Sequence, residues 1–326
     1  MTKDDLLALL WQNADSYISG EELAKRLSVS RTAVWKAIGQ LRDAGYSIES
    51  VSNRGYRLLS ESDVLSEEGI RRHLRHRELE LKVYKTISST NTVLKALAAE
   101  GAPAGLALVA GEQTAGRGRM GRSFYSPADS GLYLSLLLRP DMSAVEATRL
   151  TACAAVAVAE TIEALSGKQA QIKWVNDILV DGRKVCGILT EASVDCENGM
   201  MRHVIIGIGV NTHVPKADFP EELKSIAGAA FGAQNNPELR CRLAAGILDA
   251  LAEYTKTPDA PAVFAGYRRR SLVLGKAVNI LSPGKDPVPA EVLDLLEDYS
   301  LLVRLSDGST AKLTSGEVSV RIDDQH

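Results

Sequence analysis

Four polar segments interrupt an otherwise apolar stretch of this 326-residue chain, and each carries side chains suited to chemistry. They are Ser88-Ser89-Thr90-Asn91; Gly111-Glu112-Gln113-Thr114-Ala115-Gly116-Arg117-Gly118-Arg119-Met120-Gly121-Arg122; Lys173-Trp174-Val175-Asn176-Asp177 followed by Gly182-Arg183-Lys184-Val185-Cys186-Gly187-Ile188-Leu189; and Gly207-Ile208-Gly209-Val210-Asn211. The hydroxyl and amide groups of Ser89, Thr90 and Gln113 suit a neutral polar ligand. Arg117, Arg119 and Lys184 are cations that hold carboxylate and phosphate oxygens. Asn176, Asp177 and Asn211 offer oxygens to Mg2+ or hydrogen bonds to a nucleotide. In the second segment, Gly116, Gly118 and Gly121 allow positive φ and close backbone approach to a ligand, so the loop is one built to close over an anion. Taken singly, every segment also has a plainer reading. Ser89-Thr90 reads as a helix cap, Lys184 as a charge at a hairpin tip, Asn176-Asp177 as turn formers and the arginine loop as solvated surface. The loop also matches G-x-G-x-x-G, but a dinucleotide site needs a helix to follow, and Pro127 and Gly131 break any helix there.

The elements that must position these residues are strands and helices without regular βαβ alternation. Strand patterns cover Leu79–Lys85, Leu106–Glu112, Leu132–Leu138, Ile178–Val180, Val185–Ala192 and Val204–Val210, with Asp181-Gly182 as a hairpin turn. Helix patterns cover Thr92–Glu100, Ala144–Leu165, Pro237–Tyr254 and Pro261–Arg270. This predicts an α+β fold with a mixed sheet rather than a doubly wound one. Beyond residue 270, strands at Val278–Leu281, Val288–Leu296, Ser300–Arg304 and Ala311–Leu313 alternate with turns at Pro283-Gly284, Glu297-Asp298 and Asp307-Gly308. That spacing predicts a small SH3-like β-barrel over 271–326.

Residues 1–60 read as a separate unit. An amphipathic helix at Asp4–Trp11 precedes Ser19-Gly20-Glu21-Glu22, a capping box for a second helix. Ser28-Val29 turns the chain, Ser30 caps a third helix with Val34, Ile38 and Leu41 inward, and Gly45 stops it. Two short strands around Ser52-Asn53-Arg54-Gly55 complete a winged helix-turn-helix. Arg31, Thr32, Trp35, Lys36 and Gln40 lie off the buried stripe. With Ser30 and the wing residues Arg54 and Arg57, they suit contacts to phosphates and base edges. The unit is nearly neutral, so a solvated protein-interaction face is the competing reading. Residues 61–66 read as a linker and 67–270 as the central domain, with a short helix at Glu67–Leu74 and with His73 and His76 solvated.

Composition narrows the class further. The net charge of −3 predicts no general affinity for nucleic acid or anionic membrane. The four cysteines, Cys153, Cys186, Cys196 and Cys241, lack metal-ligand spacing and suggest no disulfide framework. MTKDDLLALLW is not a signal peptide, and no apolar run is long enough to span a membrane, so a cytoplasmic protein is expected.

In this order, GRGRMG, KWVND with GRKVCGIL, and GIGVN resemble the motifs of the biotin–protein ligases. The three-part layout is similar to that of the bifunctional ligases that also repress the biotin operon, and the resemblance covers essentially the whole chain. It implies a class II synthetase-like central domain that joins biotin and ATP into biotinyl-5′-AMP with Mg2+. The biotin then passes to a lysine of a biotin carboxyl carrier protein. It also implies that biotinyl-5′-AMP is a corepressor that promotes a homodimer on operator DNA, with the central sheet as the dimer surface.

By the same resemblance, Ser89, Thr90, Asn91 and Gln113 hold biotin. Gly116, Arg117, Gly118 and Arg119 close over the intermediate, and Gly187 gives room at the biotin wall. Lys184 sits near carboxylate and α-phosphate, and Asp177 engages the acceptor lysine. Arg119, Arg122, Phe124, Asn176, Lys184, Asn211 and Arg321 serve ATP, and Asn176 and Asn211 serve the metal. The sequence departs from the pattern where Val175 replaces a proline and Phe124 a tryptophan. The stretch Thr212–Leu223 matches less clearly. Two other classes stay open: a ligand-sensing DNA-binding regulator without catalysis, and a lipoate-type acyl-adenylate ligase.

Overall fold

The structure, a computed structural model, describes residues 3–59, 63–143, 146–195, 199–232, 238–282, 284–314 and 319–322. Several sequence expectations fall outside these residues: Ala144 at the start of a helix, Cys196, Pro237, Pro283 and residues 60–62 of the linker. The side chain of Arg321 is likewise outside. The chain divides into two compact units: Met1–Arg75 with Ala233–Ala245, and His76–Gly232 with Gly246–His326.

In the first unit, helices α1 (Lys3–Gln12), α2 (Gly20–Arg26) and α3 (Arg31–Asp43) pack around Leu6, Leu7, Leu10, Leu23, Ile38 and Leu41. Ser19 and Ser30 cap α2 and α3 through their side-chain oxygens, which accept from the amides of Glu22 and Ala33. These caps satisfy amides left without helical partners. Ser28 takes a left-handed φ of 55° in the turn between them. Strands β1 (Ile48–Val51) and β2 (Gly55–Leu58) form the wing, and Ile48 opposite Leu58 sets its register.

Helix α4 (Glu67–His73), capped by Ser66, belongs to this unit. The stretch before it is anchored. Asp63 Oδ1 accepts from the Arg240 amide at 2.9 Å and Oδ2 from its guanidinium at 2.8 Å. His73 is exposed, as expected, with Nε2 3.2 Å from Glu238 and burial lowering its pKa. In the second unit His76 is half-buried rather than solvated, its Nδ1 2.7 Å from Glu78.

The second unit is built on a seven-stranded sheet. Its strands are β3 (Glu80–Tyr84), β4 (Leu106–Ala110), β5 (Gly131–Leu138), β6 (Ala170–Lys173), β7 (Asp177–Val180), β8 (Arg183–Val194) and β9 (Met201–Asn211). The order is β3-β4-β5-β9-β8-β7-β6. Only β3 and β4 are parallel; the others pair antiparallel. The sheet is therefore mixed, as the irregular alternation predicted. Helix α5 (Thr90–Ala99) packs over β4, β5 and β9, and α6 (Ala147–Ser166) over β6 to β9. At β8, Glu191 meets Asn91 of α5 while Thr190 meets Thr151 of α6. Neighbouring strand residues face opposite ways, so the two helices cover opposite faces. Both faces of β5 are consequently buried, which is why seven of its eight residues are inaccessible.

Helices α7 (Leu239–Tyr254) and α8 (Pro261–Arg270) follow. Arg270 at the end of α8 is buried and bonded to Glu163 and Glu160 of α6. Breaking such a buried network costs far more than a surface pair. This anchor matters to the site, because Tyr267 of α8 donates to the carbonyl of Val175 at 3.1 Å.

The C-terminal strands β10 (Ala277–Leu281), β11 (Val288–Leu295), β12 (Leu301–Leu305), β13 (Thr310–Leu313) and β14 (Ser319–Ile322) form an antiparallel sheet in the order β13-β12-β11-β10-β14. Among the described residues β13 and β14 are its two edges, and the sheet they bound is open. Also among the described residues, no helix is long and apolar enough to cross a membrane.

Candidate functional site

The sheet floor of the second unit opens into a cleft of about 250 Å³ where glycines replace side chains. A Cβ on Gly207 would stand 2.0 Å from Asn91 Oδ1, and one on Gly209 2.5 Å from the Phe124 ring. Gly187 on β8 faces the same ring, with 3.1 Å for a Cβ. The Gly-x-Gly pattern at the end of β9 thus seats Asn91 and Phe124. Sequence reading left both β9 glycines without a role. The available signal was two glycines spaced by two, on one face of an otherwise β-branched strand.

Ser89, Thr90, Asn91 and Gln113 line one end of the cleft. Ser89 is the N-cap of α5 and accepts from the Thr92 amide, so the cap reading and the site reading both hold. Gln113 Oε1 accepts from the Thr90 amide at 2.9 Å, and its Nε2 donates to Ser126 Oγ at 3.1 Å.

Arg117, Gly118, Arg119, Arg122, Phe124, Asn176, Asp177 and Lys184 line the rest. Lys173, Trp174, Met120, Ser123, Leu189 and Leu281 also line it and were not anticipated. The arginine loop is pinned by its own backbone. Thr114 and Ala115 donate to the carbonyls of Ile87 and Ser88, and Phe124 donates to Gly116. Of the three loop glycines only Gly121 uses the left-handed freedom, at φ 74°, joined by Met120 at 56°. Gly118 is extended, and Gly116 is crowded by the loop itself, with a Cβ position 2.4 Å from the Phe124 carbonyl oxygen.

The cations rest on internal partners. Lys184 Nζ lies 2.6 Å from Asp177 Oδ1. Arg119 donates to Asn176 Oδ1 at 3.1 Å, and burial above all lowers its guanidinium pKa. Arg117 reaches Glu191 at 3.1 Å. Lys184 is also fixed through its main chain, which donates to Ile226 and accepts from Gly228. The KWVND turn hangs on the aromatic side chains behind it: Trp174 Nε1 donates to the Tyr299 carbonyl at 2.8 Å. Burial raises the Cys186 thiol well above its ordinary value, so it is no nucleophile despite standing two residues from Lys184.

Two expected ligand residues are placed differently. Asn176 has both amide ends engaged, because its Nδ2 donates to the Ile188 carbonyl at 2.8 Å and Arg119 takes Oδ1. Asn211 is outside the cleft lining, and its carbonyl accepts from the Ala230 amide. No cluster of metal-ligating side chains occurs among the described residues. Asp177 is the only carboxylate in the cleft lining. The donor set therefore fits a Mg2+ carried mainly by phosphate oxygens, not a protein cage.

In the first unit, Arg31, Thr32, Lys36 and Gln40 are exposed on one face of α3, and Trp35 is 66% exposed. A groove lies between this face and the wing residues Ser50, Val51 and Asn53. Ser30 caps the helix and Arg54 stands exposed near the Tyr17 ring. Arg57 is paired with Glu49 at 2.5 Å and lies over the Tyr17 ring.

Residues 83–211 match the Biotin/lipoate A/B protein ligase family, and residues 2–57 match an HTH domain. The chain is 46% identical over 227 residues to the bifunctional ligase/repressor BirA of Bacillus spizizenii, covering 69% of each chain. It is 30% identical over 244 residues to the biotin–[acetyl-CoA-carboxylase] ligase of Mycobacterium tuberculosis, covering 73% of this chain and 88% of that one. Among solved structures, the biotin protein ligase from Aquifex aeolicus in complex with biotin and ATP aligns with a TM-score of 0.60 at 27% identity, over 75% of this chain and 99% of that one. With its cleft, its helix-turn-helix unit and this degree of identity, the chain belongs to the biotin/lipoate A/B protein ligase family, among the bifunctional ligase/repressors.

Proposed function

We propose that this chain is an ATP-dependent biotin–protein ligase that also represses transcription, acting in the cytoplasm. The observation that carries the enzymatic half is the polarity of the cleft. Neutral hydrogen-bonding groups at Ser89, Thr90 and Gln113 face one end, and Lys184, Arg119 and Arg122 line the other. Biotin has that polarity, with a neutral ureido ring at one end and a carboxylate at the other.

In the first step a biotin carboxylate oxygen attacks the α-phosphorus of ATP. The bond to the bridging oxygen breaks, giving biotinyl-5′-AMP and pyrophosphate. Both reactants are anions, so the cations must offset their repulsion, and such groups act most strongly in a site shielded from water. Lys184 leaves Asp177 to meet carboxylate and α-phosphate. Arg119, already partly desolvated, meets the phosphate without a large further desolvation cost. Phe124 offers a ring face to the nucleotide. Mg2+ bound to the triphosphate would neutralise phosphate charge, with Asp177 as the protein residue to hold it.

In the second step the uncharged amine of a carrier-protein lysine attacks the anhydride carbonyl and AMP leaves. Asp177, the carboxylate beside Lys184, accepts the proton of that amine. The C-terminal strands have the length and turn spacing of an SH3-sized barrel, and Arg321 on β14 is proposed to reach the ATP phosphates. For repression, Arg31, Thr32, Trp35, Lys36 and Gln40 enter the major groove, and a biotinyl-AMP-stabilised homodimer reads a two-fold operator.

The test supplies biotin, ATP, Mg2+ and a biotin carboxyl carrier domain, with lipoate as competitor. Biotin on the carrier lysine and stoichiometric AMP are expected. Biotin binding without AMP would favour the non-catalytic regulator, and preferential lipoyl transfer would favour the other ligase class.

A further inference from the structure

A hydrogen-bond chain runs behind the neutral end of the cleft through two residues, Ser135 and Glu191, that do not line it. Arg117 Nη1 donates to both Glu191 carboxylate oxygens, at 3.1 and 3.3 Å. Asn91 Nδ2 donates to Glu191 Oε2 at 3.0 Å and to the Leu189 carbonyl at 3.2 Å. Asn91 Oδ1 lies 2.6 Å from Ser135 Oγ, which in turn lies 2.7 Å from Thr90 Oγ1. Thr90, Asn91 and Ser135 are buried, so their partners must come from the protein or from a ligand.

Counting protons gives this chain a direction. A carboxylate only accepts, so Asn91 must turn its NH2 to Glu191 and its carbonyl oxygen to Ser135. That oxygen takes the single Ser135 proton. Ser135 Oγ is then left to accept the Thr90 proton. Gln113 Oε1 lies 3.2 Å from Thr90 Oγ1 and is already served by the Thr90 amide. Thr90 Oγ1 therefore meets a ligand with lone pairs and no proton.

We infer that Ser135 is a positioning residue that sets ligand specificity, because it takes the Thr90 proton and so makes Thr90 an acceptor for a ligand N–H. The inference rests on the reading of the cleft as a biotin site, since the ureido ring carries two N–H donors beside its carbonyl. Ser89 complements it: its oxygen already accepts from Thr92, so its proton is available for that carbonyl. The Glu191 carboxylate joins this network to Arg117, while the Leu189 carbonyl also holds the Asn91 NH2.

Ser135→Ala breaks the chain in its middle, keeps nearly the same volume, and leaves Glu191 and Arg117 untouched. Calorimetric titration of the full chain would compare biotin with the two cyclic carbamates that each replace one ureido N–H by oxygen. The parent is expected to prefer biotin over at least one carbamate by about tenfold or more, the cost of leaving a buried acceptor without its donor. In Ser135→Ala that preference falls to within about threefold. A merely structural role lowers all affinities together and leaves the preference standing, so a parent-like preference in Ser135→Ala overturns the inference. If the parent itself binds no biotin, the functional reading falls first, and the parent titration alone reports that.

Discussion

At the neutral end of the cleft, Ser89, Thr90 and Asn91 are all buried and hydrogen-bonded within the protein, whereas at the cationic end Arg117, Met120 and Arg122 are exposed on a loop. The neutral end sits on a helix terminus and the middle of a sheet. It needs no rearrangement to take a ligand, which favours selection by shape and hydrogen-bond polarity. The cations instead rest on carboxylates, Lys184 on Asp177 and Arg117 on Glu191, and in the proposed reaction substrate anions replace them. Selection and catalysis are thus assigned to regions of different stiffness. Elements with few buried contacts are the ones that move on binding.

Substitutions at the two ends should therefore fail in different ways. Lys184→Ala has the largest expected effect. Adenylate formation should slow by about two powers of ten, the loss of one electrostatic contact in a shielded site, while biotin affinity changes little. Single-turnover rates measured beside equilibrium binding would check this, and a rate within a few-fold of the parent removes Lys184 from the reaction. Arg119→Gly comes next. It should raise the dissociation rate of biotinyl-AMP about tenfold or more and allow the escaped anhydride to label lysines at large. Unchanged retention of the intermediate would contradict the closing role of the loop.

Gly207→Ala probes the stiff end. The added methyl carbon would stand 2.0 Å from Asn91 Oδ1, so Asn91 must move. Biotin affinity should fall by about tenfold, a typical cost for overpacking a close-packed site, with the chemical step at saturating biotin nearly unchanged. A fall confined to the chemical step would reverse the assignment of the two ends. The smallest effect on the cleft, none, is expected for Arg31→Ala or Lys36→Ala. Either should weaken operator binding and flatten its salt dependence by about one phosphate contact, leaving adenylate formation at the parent rate.

The stiff parts were the more legible in sequence. Ser19, Ser30 and Gly45 marked the helices of the first unit, because a cap is a local event written in neighbouring residues. Ser89, Gln113, Arg119, Asp177 and Lys184 stood out because their chemistry clusters within short segments, and all five line the cleft. What stayed hidden depends on distance along the chain. Glu191 meets Arg117 and Asn91 across 74 and 100 residues, and nothing in the pattern of an apolar strand marks one carboxylate as a partner of both. The crowding of Gly116 was hidden for the related reason that it comes from Phe124 and Ser126, later in the same loop. Asn176 looked like a ligand until Arg119 and the Ile188 carbonyl were seen to occupy it.

The central claim is that one cleft both selects biotin and activates its carboxylate. Mixing the protein in excess with biotin, ATP and Mg2+, without any acceptor, and following pyrophosphate tests it most directly. The account predicts a rapid burst of about one pyrophosphate per limiting biotin, retained biotinyl-AMP, and no further turnover until carrier protein is added, with the burst slowed about a hundredfold in Lys184→Ala. Tight biotin binding with no pyrophosphate burst, or a Lys184→Ala burst as fast as the parent's, would contradict it.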